Sequence, residues 1–169
     1  METTNSITLQ RLGVRDAKTY LMALLFIAGN IALPQLCHLI PQGGLIFLPI
    51  YFFTLVAAYR YGPAVGLLTA VLSPIVNSAL FGMPVAAMLP VIVIKGSILA
   101  LAASFIAKKA GRVAMWAVAF AVVACQAVGM VAELAITGSM QAALQDVMLG
   151  WPGIVLQVVG GWALLKAWK

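Results

Sequence analysis

Apolar runs of about twenty residues, the length that spans a bilayer as a helix, recur along this chain from Tyr20 to Leu165. Lipid offers backbone amides no partner, so a chain built this way belongs inside a membrane as helices that satisfy their own hydrogen bonds. Its 64% hydrophobic and 8% charged residues stand far from the soluble norm of about 45–50% and 25%. A water-soluble domain of this length has no interior large enough to hide so much apolar surface. The expected fold is therefore all-α: one membrane domain, residues 1–169, in a compact six-helix bundle.

The spans read as about Tyr20–Leu39, Leu45–Tyr59, Pro63–Ser78, Val85–Ala107, Val113–Ile136 and Val147–Leu165. Pro41–Gly44 (PQGG) and Leu80–Pro84 make tight turns, and Gly62-Pro63 is a helix-opening signal. Pro74 should kink or shorten the third span. The polar link Thr137–Asp146 is expected to form one or two helical turns. With six spans both termini share one side. Arg11, Arg15, Lys18, Arg60, Lys108, Lys109, Arg112, Lys166 and Lys169 all fall there, nine of the ten basic residues. By the positive-inside rule that side is cytoplasmic. The same clustering between apolar runs explains the net charge of +6 better than nucleic-acid binding does. No small-residue cleavage site follows the first apolar run, so the amino-terminal twenty residues read as leading into a retained first helix.

The tenth basic residue, Lys95, sits ten or more residues from either end of its span, about 15 Å from each interface at 1.5 Å per residue. Its side chain can snorkel over only part of that distance, and charging it against lipid costs at least about 2.5–3.5 kcal/mol. It pairs inside the bundle, with Glu133 or helix carbonyls, or it awaits an anionic or carbonyl-bearing ligand. On the ligand reading, Lys95→Met weakens binding far more than folding. Gln126, Met130 and Glu133 share one face of the fifth span, although Glu133 near the span's end is equally placed for solvation. Asn30, Asn77 and Gln157 are intramembrane amides, which either glue helices or contact a ligand. Asn77 is the strongest ligand candidate, because it lies near the end of a proline-bearing helix where carbonyls are freed. Trp151 is placed to anchor the interface or to stack on a flat ring, and His38 to hydrogen-bond in an outer lid.

One histidine provides no dedicated metal site, and Cys37 and Cys125 are too far apart in sequence for a disulfide framework. No cofactor is implied. The chain has no GxxxxGK[ST] phosphate loop, HExxH or GxSxG. It reads as a binding subunit rather than an enzyme or a self-powered transporter. The alternative is a small membrane scaffold whose polar groups only hold helices together.

The six short spans, the aromatic-rich segment FLPIYFFTLVAAYRYGPAVGLLTAVLSP, the run GPAVGLLTAVLSPIVNSALFGMP and the pair Ala28-x-x-x-Ala32 resemble the substrate-binding S components of energy-coupling factor (ECF) vitamin transporters. That resemblance implies capture of a vitamin or related micronutrient near the outer face of a prokaryotic cell membrane. It also implies docking on a scaffold subunit bearing two ATPases, through Ala28 and Ala32. In that family the outer loops and helices four to six hold the substrate. Candidate binding residues here, chosen by depth and polarity, are Asn30, His38, Asn77, Lys95, Gln126, Glu133, Trp151 and Gln157.

Overall fold

The computed structural model describes Leu9 and residues 11–168; the METTNS segment and Lys169 lie outside them. It is 83% helical, and the described residues contain no strand. Helix α1, Ala17–Cys37, continues through Pro34, and the His38 amide closes onto the Pro34 carbonyl at 2.9 Å.

The expected second span departs most from a straight helix. Residues 43–61 divide into α2 (Gly43–Phe47), a 3-10 turn (Pro49–Tyr51) and α3 (Phe52–Tyr61). The break falls at Leu48, which takes φ 46°. Its neighbour Pro49 disfavours the right-handed helical conformation at the preceding residue and lacks the N–H that would continue the ladder. The ten residues of α3 reach about 15 Å, half a bilayer core. Leu55, Val56, Ala57 and Ala58 are fully buried and Tyr59 nearly so. The apolar surface of α3 meets protein: α1 and the helices Pro63–Phe81, Leu89–Ala110 and Gly161–Ala167 surround it.

Helix α4, Pro63–Phe81, opens on Gly62 at φ 93° with Pro63 in its first turn. It passes Pro74 unbroken and ends at Phe81, three residues beyond the expected Ser78, with Gly82 as its cap, so the turn begins after Leu80 and Phe81. A 3-10 turn, Ala86–Met88, leads into α5, Leu89–Ala110. Helix α6 covers Met115–Thr137. The polar link forms a short helix, α7 (Met140–Met148), whose cap Ser139 Oγ accepts the Ala142 amide at 3.2 Å.

The last span is also bent. Helix α8 (Trp151–Val155), a π-turn (Leu156–Gly160) and α9 (Gly161–Ala167) form one rod, set at 54° to α7. Val147 and Met148, expected to start this span, belong to α7 instead. Among the described residues, four helices are thus long and apolar enough to cross a membrane, or five counting the bent pair. The remaining expected span is the buried, half-length α3.

Contacts between elements bring the described basic clusters toward one end. Leu12 N donates to Tyr61 O at 3.1 Å and Tyr59 Oη to Arg112 O at 2.8 Å, and the Phe26 and Trp168 rings sit 5.6 Å apart. The turns at Gly82–Val85 and Gly138–Ser139 lie at the far end.

Close approach of α3, α4 and α5 depends on Gly66. A Cβ there would lie 2.5 Å from Ala58 Cβ, 2.9 Å from Ala58 Cα and 3.1 Å from Ala100 Cβ. Gly66→Leu is expected to cost about 1–3 kcal/mol or more by overpacking, read as a lowered unfolding midpoint in detergent, while Gly111→Ala, in open space but at positive φ, should cost less.

Candidate functional site

Two polar assemblies occupy the far end of the bundle. The first is an ion cluster. Lys95 is the seventh residue of α5, about 9 Å from the helix start at 1.5 Å per residue. It therefore lies nearer the far end than the mid-span depth expected from sequence. Its ammonium donates to Glu133 Oε2 of α6 and, at 2.8 Å, to Asp146 Oδ2 of α7. Lys95 and Glu133 are each 4% exposed, so Glu133 is buried rather than solvated.

The lysine stem reaches across α6 because residue 129 is glycine: a Cβ there would sit 3.0 Å from Lys95 Cγ and 3.2 Å from Cε. Cys125 Sγ, one turn earlier, donates to the Lys95 carbonyl at 3.4 Å. Cys125, Gly129 and Glu133 thus form the buried stripe of α6 against α5, with Gln126 half-buried at its edge. Two carboxylates face one ammonium in this cluster. An ammonium held by two carboxylates is no longer an open counter-charge for an anion. It binds α5, α6 and α7 together.

The second assembly is a cavity of about 320 Å3. The end of α1 contributes Pro34 and His38, and the following segment contributes Gln42, Leu45, Pro49 and Ile50. Asn77 of α4 and Met83, Pro84, Val85 and Met88 of the α4–α5 connection complete the wall, with Ile92 at the α5 side. No charged residue lines it. Lys95, one turn beyond Ile92, does not line it, so the candidate binding residues Asn77 and Lys95 lie in two separate places.

Asn77 is 1% exposed. Its Oδ1 accepts from Gln35 Nε2 of α1 at 3.0 Å, which fixes the plane of the amide, and its Nδ2 has no hydrogen-bond partner. A buried amide nitrogen without a partner costs about 1–3 kcal/mol. His38 stands at the rim, exposed, with its ring against Gly44.

The other expected site residues are dispersed. Asn30 is fully buried and engaged: Nδ2 donates to Thr54 Oγ1 (3.0 Å) and Ser73 Oγ (3.3 Å), and Oδ1 accepts the Phe53 amide (3.1 Å). It is helix glue. Gln157 is buried in the π-turn, against α6 and α3, with Nε2 unpartnered. Trp151 is 61% exposed at the start of α8 and lines no part of the cavity. Ala28 and Ala32 both lie on the exposed face of α1. Cys37 and Cys125 are free, and no three His, Cys, Asp or Glu side chains among the described residues converge on a metal-sized site.

Asp146, Gly129 and Gln35 carry contacts that sequence reasoning assigned to none of them. Asp146 had a signal. A chain with four carboxylates and a lysine deep in a span has few partners to offer, and both in the carboxyl-terminal half are used. No protein-family model, curated protein or solved structure matches the chain.

Breaking a buried ion cluster from one side strands the remaining charges, at about 3–5 kcal/mol. Lys95→Met alone is therefore expected to lower stability in detergent sharply, and adding Glu133→Gln with Asp146→Asn to recover most of the loss. Unfolding midpoints of the two variants check this.

Proposed function

We propose that this chain is the substrate-capture subunit of an importer of the energy-coupling factor type, a multi-pass protein of a prokaryotic cell membrane that takes a vitamin-like small molecule from the outer face. The observation that carries the reading is the cavity with the unpartnered Asn77 amide, at the end of the bundle opposite the basic clusters. Under the positive-inside rule the basic end faces the cytoplasm, which turns the cavity outward. In the bilayer, residues 43–61 complete a sixth pass, with α3 as its buried inner half. The chain has no phosphate loop of the GxxxxGK[ST] type, so on this reading a scaffold subunit and two ATPases provide the energy and this subunit performs no catalysis. Its contact with them is the α1 face bearing Ala28 and Ala32. Small residues let two helices approach closely and part again.

One observation favours the scaffold alternative. The Asn30 node and the Lys95–Glu133–Asp146 cluster are both internal ties, as expected of polar groups that only hold helices together. Neither fills the cavity.

Two measurements test the proposal. In a variant whose native cysteines are replaced by alanine, Lys108→Cys should react with an impermeant maleimide only from the cytoplasmic side and Gln141→Cys only from outside; labelling of both from one side rejects the topology. Ala28→Trp with Ala32→Trp should abolish uptake in cells and leave ligand binding by the purified subunit within about twofold. Loss of binding would reject the docking role.

A further inference from the structure

The cavity on Asn77 also carries information about what enters it. Gln35 Nε2 donates to Asn77 Oδ1 at 3.0 Å, and Asn77 Nδ2 is buried and without a partner. The rest of the wall is apolar apart from Gln42 and the rim residue His38, and no lysine, arginine, aspartate or glutamate lines it. The Lys95 ammonium does not line the cavity and is held by two carboxylates, Glu133 and Asp146. An anion placed in the cavity would lose its hydration and find no counter-charge, which apolar surroundings penalise heavily. An uncharged body with one acceptor loses little hydration, and a small shift of the Asn77 side chain would bring its buried nitrogen, which has no partner in the chain, to that acceptor.

We infer that the site takes an uncharged, largely apolar small molecule that presents one carbonyl or heterocyclic-nitrogen acceptor to Asn77 Nδ2. This rests on the capture reading above and narrows it from vitamin-like molecules in general to neutral ones. It also moves the site away from the helices that the resemblance implies, to the α1 end, the α2 segment and the α4–α5 connection. The same acceptor chemistry is present in a free metabolite and in the ester carbonyl of a membrane lipid, so the test separates those sources.

The full chain is purified in detergent, denatured, and its released small molecules are identified by mass spectrometry. Melting is followed in parallel with 2-naphthamide and 2-naphthoate, an acceptor-bearing pair that differs in charge. An uncharged, non-lipid molecule released from the protein, with 2-naphthamide raising the melting temperature and 2-naphthoate not, supports the inference. A released anion, or stabilisation by 2-naphthoate alone, overturns it and leaves the capture function standing. A stoichiometric lipid supports the Asn77 contact and overturns capture, and a protein that releases nothing and responds to neither probe overturns both.

Asn77→Asp keeps the oxygen that Gln35 needs and replaces the donor with a second acceptor. It should weaken 2-naphthamide binding about tenfold or more, the loss of one neutral hydrogen bond. Met88→Trp, at a lining residue on the exposed connection, fills the cavity without touching the helix core and should abolish binding while melting stays near wild type. Unchanged affinity in both variants rejects this cavity as the site.

Discussion

The first amides of a helix have no partner inside it, and a helix that starts inside a bundle cannot turn to water for one. Helix α3 is in that position: ten residues long, beginning beside α1 and α4 rather than at an interface. The Asn30 side chain resolves it by accepting the Phe53 amide, while its own NH2 group is divided between Thr54 and Ser73. One amide from α1 therefore closes the start of α3 and ties it to α4. On the other flank, Ser104 of α5 donates to the Ala58 carbonyl at 3.0 Å. These contacts hold a half-length helix in the middle of the bundle, and the long helices pack around it through glycine and alanine at positions 58, 66, 96 and 100.

With α3 filling the interior, polar chemistry remains at the far end, where it divides by type. Lys95, Glu133 and Asp146 gather on the α5–α6–α7 side, one ammonium between two carboxylates. The Gln35 and Asn77 amides and His38 lie on the α1–α2–α4 side, where Asn77 Nδ2 has no partner. The division follows from cost. A buried ion pair repays its desolvation only when each charge is closely held, which demands tight packing around Lys95 and leaves no room for a guest. An amide can remain half-satisfied beside an open volume at a penalty of about 1–3 kcal/mol.

Much of the fold was legible because lipid-length apolar runs and clustered basic residues leave few alternatives: α1, α4, α5 and α6 lie where hydropathy puts them, within a few residues. The second and sixth spans were not, for local reasons. Apolar content does not distinguish a helix facing lipid from one facing protein, so α3 read as a complete pass, and the strain between Leu48 and Pro49 is a backbone matter that hydropathy does not register. Of the candidate site, the Lys95–Glu133 pair and the prominence of Asn77 followed from the cost of burying polar groups. Asp146 did not, because a polar link carries no mark showing that it folds back over a span. Nor did Gln35, whose role is to orient another side chain.

Helix α1 carries two features on one stiff body. Its inward face holds Asn30 and Gln35, the second bonded to the amide that borders the cavity. Its outward face presents Ala28 and Ala32. A rod cannot swivel one side without swivelling the other. Any rotation of α1 about its axis would therefore carry Gln35 and the alanine side through the same angle, with no separate moving part.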